Sequence, residues 1–132
     1  MRLATLVTNT ADSACAQGWP LYDPKFAAML HGVRPGSPVE AFWVCRDAFP
    51  DDLSAYDGVM ITGSPASVQE GAPWMLRLET LIRDLIAAQK PLFGACFGHQ
   101  AIAKALGVPI IRNPGGWAHG RVPVTDLASG AT

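Results

Sequence analysis

The chain has no basic excess, no long apolar run and too few cysteines to build a disulfide framework. Ten Lys and Arg stand against eleven Asp and Glu, for a formal net charge of -1. Nucleic-acid binders usually carry a cationic stripe, so this balance argues against that class of partner. No stretch approaches the roughly 18 apolar residues that span a bilayer. The opening MRLATLV holds too short an apolar core for an export signal. Three cysteines, Cys15, Cys45 and Cys96, cannot all pair within one chain, and there is no Cys-x-x-Cys or Cys/His group to hold zinc. A reducing, cytoplasmic setting is the expectation. Nucleotide signatures are missing too, with no Gly-x-Gly-x-x-Gly and no P-loop string, so neither cofactor nor metal is expected.

What is present is an apolar chain of 132 residues, 49% hydrophobic and 16% charged. That suits a single domain over 1–132 with a packed core. Short apolar runs bounded by turn residues predict strands at Leu3–Thr8, Val39–Cys45, Gly58–Thr62 and Pro91–Cys96. Two shorter ones are expected at Val108–Arg112 and Val122–Thr125, on either side of the turn-rich NPGG.

Helical spacing lies between these runs. Pro24–Leu30 sets Phe26, Met29 and Leu30 on one face and stops at Gly32. From Pro73 to Lys90, Trp74, Met75, Leu78, Leu81, Ile82, Leu85 and Ile86 recur every three or four residues, which makes a buried stripe. Pro73 suits a first helical turn, and Pro91 ends the helix because the residue before proline resists helical dihedrals. Glu79 and Arg83 are expected to pair on the outer side. A third helix, Gly98–Leu106, closes at Gly107. Strands alternating with helices predict an α/β fold: a flavodoxin-like open sheet, mainly parallel, with helices on both faces.

The chemistry concentrates in Gly94-Ala95-Cys96-Phe97-Gly98. A strand turning sharply into a helix can hold one residue in a strained conformation with its side chain projecting from the sheet edge. Glycines two residues to either side relieve the crowding a β-carbon would cause. Serine hydrolases use this arrangement as Gly-x-Ser-x-Gly, and here sulfur replaces oxygen. A helix N-terminus gathers unpaired N–H groups, an environment that favours a thiolate, the reactive form. The Phe97 N–H is then placed to stabilise an oxyanion if a second donor faces it. Taken alone, a small buried cysteine is the commoner reading; the strand before Cys96 and the helix after it favour the nucleophile. Cys15 and Cys45 lack that context and read as structural. The loop ITGSPAS, Ile61–Ser67, follows the third strand. Ligands collect at the carboxyl ends of parallel strands, so Gly63 and Ser64 are expected beside the elbow as donors of the opposing N–H.

With both segments in view, the chain resembles the class I, triad-type glutamine amidotransferases, similar to the amidotransferase part of GMP synthase. GACFGHQ matches their Gly-x-Cys-x-Gly-x-Gln signature, and GVMITGSP resembles their strand plus Gly-Gly-Pro loop, with Ser64 in place of the second glycine. SAYDGVMITGSPASVQEGAPWMLRLETLI has the family's spacing, and ALGVPIIRNPGGW resembles the stretch after the nucleophile helix. The match runs from Leu3 to about Thr125; only the cysteine signature is highly specific. The resemblance implies that Cys96 attacks the side-chain amide of glutamine through a γ-glutamyl thioester. It implies oxyanion donors at Phe97 and at Gly63 or Ser64, elbow glycines at Gly94 and Gly98, and Gln100 shaping the glutamine pocket. His99 takes a supporting role at most.

The sequence departs from this pattern in two places. The family's base is a histidine in a His-x-Glu pattern well downstream of the cysteine, whereas every glutamate here precedes Leu81. Relatives also often carry a glutamate at the site of Ala118. His119 and Asp126 are the only later histidine and acid; His119 is expected on an exposed Gly-rich turn, and His31 on the surface. The expectation is therefore a C-terminally incomplete domain, inactive alone, whose uncovered apolar surface invites aggregation or dimerisation. Expected partners are glutamine or a γ-glutamyl compound, and a synthetase or a second copy. Two further readings stay open: a non-catalytic remnant that binds a γ-glutamyl ligand or partner, and a cysteine hydrolase of γ-glutamyl amides.

Overall fold

The structure is a computed structural model that describes residues 1–10, 22–116, 123 and 125–131. Four strands, β1 (Leu3–Leu6), β2 (Val39–Phe42), β3 (Gly58–Ile61) and β4 (Leu92–Gly94), form one sheet in the order β2-β1-β3-β4. All three pairings are parallel, with Leu6 opposite Phe42 and Ile61, and Ile61 opposite Gly94. The helices are α1 (Tyr22–Val33), α2 (Pro73–Ala87) and α3 (Phe97–Ala105). This is the expected α/β architecture, and the strand order is that of the first four strands of a flavodoxin-like sheet.

Successive strand residues point to opposite faces, which divides the core in two. Ala4, Leu6, Val59 and Ile61 meet Met75, Leu78, Ile82 and Leu85 of α2 and Phe97, Ala101 and Ala105 of α3. On the other face Leu3 and Met60 meet Phe26 of α1, with Leu30 packed alongside. Each Val, Leu, Ile, Phe or Met among these contributes about 1.5–3 kcal/mol when fully buried. The α2 stripe holds as expected. Met29, expected to be buried, is exposed, so α1 buries a narrower face.

Several boundaries differ. Helix α1 passes through Gly32 to Val33, and the chain reverses at Gly36, whose φ is +76°. The second strand stops at Phe42 because Arg46 and Asp47 N–H bond back to Trp43 and Val44, winding a short 3-10 turn over Val44–Arg46. Helix α2 ends at Ala87, short of Lys90. Gln89 takes a left-handed φ of 52°, and the Lys90 N–H returns to the Leu85 carbonyl. Glu79 does not pair with Arg83 but turns inward to Lys104 of α3, 2.7 Å away. Val108–Arg112 is irregular and largely exposed, since β4 ends the sheet among the described residues and offers that run no paired neighbour. Val122 lies outside the described residues.

Candidate active site

The elbow forms where β4 hands over to α3. Cys96 is the N-cap of α3, with φ 50° and ψ -105°, a conformation L residues rarely adopt. Its side chain is exposed. The glycines on either side sit against backbone. A β-carbon on Gly94 would lie 2.4 Å from the Gly98 carbonyl carbon and 2.6 Å from the His99 nitrogen. One on Gly98 would lie 2.5 Å from the Ile61 carbonyl oxygen. Only glycine lets strand, helix and neighbouring strand approach this closely.

The same contacts put the elbow beside the end of β3. Ala95 N–H donates to the Ile61 carbonyl at 3.0 Å, one residue past the paired Ile61 and Gly94. Thr62 and Gly63 are buried there and Ser64 is half-buried, its Oγ accepting the Ala66 N–H at 3.1 Å. Phe97 is 1% exposed, and its ring stacks on Trp74 with centroids 5.6 Å apart, which fixes the first residue of α3. Among the described residues no hydrogen bond engages the N–H of Phe97 or Ser64. His99 and Gln100 are exposed on the first turn of α3.

His31 stands apart from this group. His31 Nε2 lies 2.9 Å from the Ser37 carbonyl, next to α1. His119, with Cys15, Gly120 and Ala118, lies outside the described residues. Asp126 is exposed and occupied within its own turn, bonded by Ala128 N–H and Ser129 Oγ, and these bonds hold its carboxyl below the usual range, the Ser129 bond most. Among the described residues no group of His, Cys, Asp and Glu could hold a metal.

Two features were not legible in the sequence. Buried Thr8 and Thr62, which follow β1 and β3, are joined by several hydrogen bonds beneath the Gly63 loop. The only hint was the polar end of each apolar run. An open cavity of about 510 Å³ is lined by Cys45, Arg46, Asp47, Pro73, Trp74 and Arg77, and Trp74 joins its wall to Phe97. Its residues come from two distant segments, so no local pattern announces it.

Cys96 is thus an exposed cysteine on a strained strand-to-helix corner at the carboxyl edge of an open parallel sheet in an α/β protein. The family model for glutamine amidotransferase class-I matches residues 29–130, and the chain belongs to that family. It is 44% identical over 69 residues to a putative glutamine amidotransferase-like protein of Schizosaccharomyces pombe, covering 51% of this chain and 28% of that one. It is 37% identical over 79 residues to gamma-glutamyl peptidase 4 of Arabidopsis thaliana, covering 58% and 32%. The chain thus spans about a third of these curated relatives. Among solved structures, a glutamine amido transferase from Methylobacillus flagellatus superposes with a TM-score of 0.66 at 26% identity, over 85% of this chain and 41% of that one. Among the described residues no helix is long and apolar enough to cross a membrane.

Proposed function

We propose that this domain hydrolyses the side-chain amide of glutamine through Cys96. The thiolate attacks the amide carbon, and the carbonyl electrons move onto oxygen. The Phe97 N–H and an N–H at Gly63 or Ser64 hold that oxyanion. Collapse forms a γ-glutamyl thioester as the amine, once protonated, leaves as ammonia; water then adds to the thioester, and glutamate departs as sulfur is released. Gln100 shapes the pocket, and Gly94 and Gly98 allow the corner. The observation that carries this reading is the exposed, strained Cys96 between two glycines that admit no β-carbon. Among the described residues no histidine is hydrogen-bonded to the Cys96 thiol. A synthetase partner would receive the ammonia.

The test is glutamate release from glutamine by protein made from the whole reading frame, beside its Cys96→Ala variant. Loss of release in the variant supports the reading, and equal rates overturn it. The resemblance to a protein named gamma-glutamyl peptidase favours a second use of the same thioester, with a γ-glutamyl peptide or amide as donor. A panel in which glutamine is inert and a γ-glutamyl dipeptide is cleaved selects that reading.

A further inference from the structure

The buried threonine pair beneath the Gly63 loop bears on the oxyanion donors. Thr8 N–H donates to Thr62 Oγ1 at 2.9 Å. Thr8 Oγ1 lies 2.9 Å from the Thr62 carbonyl, 3.1 Å from Thr62 Oγ1 and 3.2 Å from the Gly63 carbonyl. Thr62 Oγ1 also reaches the Gly63 carbonyl at 3.2 Å. Both threonines have no exposed surface, so no solvent competes for these bonds. The two hydroxyls carry two protons for the Thr62 carbonyl, the Gly63 carbonyl and one another. Thr62 sits on the same loop as Gly63, and its own N–H bonds the Leu6 carbonyl of β1 at 3.1 Å; the Thr8 hydroxyl is what reaches from the end of β1 to the Gly63 carbonyl.

The strand order gives this tie a direction. β3 lies between β1 and β4, Thr8 follows β1, and Cys96 follows β4. A Gly63 carbonyl drawn toward Thr8 faces β1. The Gly63–Ser64 peptide is trans, as no cis bond is present among the described residues, and in a trans peptide the N–H points opposite to the C=O. The Ser64 N–H therefore faces away from β1, toward the side on which the elbow sits. Turning that peptide over would present a carbonyl oxygen to the oxyanion and repel it.

We propose that Thr8 is a positioning residue for the reaction, holding the Gly63 carbonyl so that the Ser64 N–H faces the oxyanion formed at Cys96. This rests on the amidotransferase reading above. Thr8 touches no reacting atom and acts only through the orientation of one peptide plane.

The test compares three reagents at Cys96, followed by peptide mass. A chloromethyl ketone analogue of glutamine alkylates the thiolate: the sulfur–carbon bond forms, the carbon–chlorine bond breaks and chloride leaves, with the ketone oxygen polarised by the oxyanion donors. Chloroacetone presents the same ketone without the glutamyl part. Methyl methanethiosulfonate transfers a methylthio group and releases methanesulfinate, with no carbonyl to polarise. Thr8→Val is expected to lower the ratio of ketone to thiosulfonate rates by about tenfold or more, and Thr8→Ser to restore it. An unchanged ratio in Thr8→Val, or an equal loss in Thr8→Ser, overturns the proposal. If Thr8→Val does not fold, Thr62→Val is read in the same ratio, since it removes the hydroxyl that receives the Thr8 N–H and organises the tie. A glutamine analogue no faster than chloroacetone on the unaltered protein counts against the amidotransferase reading alone, because the chloroacetone ratio still reports the peptide orientation.

Discussion

Gly98 lies so near Ile61 that a β-carbon on the glycine would sit 2.5 Å from the isoleucine's carbonyl oxygen and 2.9 Å from its own β-carbon. That oxygen also accepts the Ala95 N–H, so the start of α3, the end of β3 and the residue before Cys96 share one contact point. The corner that exposes Cys96 depends on this closeness.

Gly98→Ala is therefore expected to destabilise the fold by about 2 kcal/mol or more, since the obstructing atoms are backbone and a strand end cannot yield cheaply. Gly94→Ala should act in the same direction, against the backbone of Gly98 and His99. Chemical denaturation followed by circular dichroism measures both. A Gly98→Ala protein within about half a kcal/mol of the parent, the usual range for surface changes, would show that the close packing is not needed.

Thr5 presents the opposite situation. It is fully buried on the face of the sheet that α1 covers, and its Oγ1 has no hydrogen-bond partner among the described residues. A buried hydroxyl left unpaired costs about 1–3 kcal/mol relative to one that is satisfied. Thr5→Val keeps the β-branched shape and removes the hydroxyl, so a gain of about 1 kcal/mol is expected, read as a higher urea midpoint at unchanged slope. A drop in midpoint would mean that the hydroxyl has a partner.

Trp74 and Phe97 test whether α2 steadies the elbow. Their stacked rings are the point where the start of α2 touches the start of α3. Trp74→Ala removes that contact and part of the core edge, with an expected loss of about 2–3 kcal/mol, below that of a fully buried tryptophan because Trp74 is half-exposed. Chloroacetone labelling of Cys96 in Trp74→Ala should also slow relative to thiosulfonate labelling, because the Phe97 N–H loses its support. Unchanged relative labelling would confine Trp74 to a structural role.

The fold was legible where the signal was local. The α2 stripe, the proline at its start, and the run of small residues around Cys96 each carry their own explanation within a few positions, and each stands where expected. The errors fall where a distant partner decides. Glu79 has a sequence neighbour of suitable sign in Arg83, but Lys104 on another helix offers a half-buried partner with less competition from water. Val108–Arg112 has strand-like residues and no strand to pair with among the described ones. The tie between Thr8 and Thr62 spans 54 positions, and no periodicity encodes it. Gly94 and Gly98 fall within one short motif, whereas the way the Gly63 loop lies beside the start of α3 depends on how two separate strand ends meet.

Glu40 controls part of the acid response. Its carboxylate accepts the Tyr56 hydroxyl and the Arg2 guanidinium, the latter at 2.8 Å, and Arg2 also lies 4.5 Å over the Tyr56 ring. The Tyr56 bond foremost, then Arg2, holds the Glu40 carboxyl below its ordinary value. A carboxyl with a lowered folded pKa adds stability that is present above its unfolded value, about 4.3, and is lost as pH falls through the folded value. Tyr56 shifts upward, chiefly through the same bond, so its contribution is present below about 10 and fades as pH rises through its folded value. The difference in urea midpoint between the parent and Glu40→Gln is therefore expected to be level from about pH 6 to 8 and to shrink toward pH 3. Asp52, lowered by its bonds to Ser54, contributes to the acid limb of both proteins and cancels in the comparison. A difference that stays constant down to pH 3 would mean that Glu40 holds no preferential bond in the folded chain, and that the contact between Arg2, Tyr56 and Glu40 leaves β2 unanchored at the edge of the sheet.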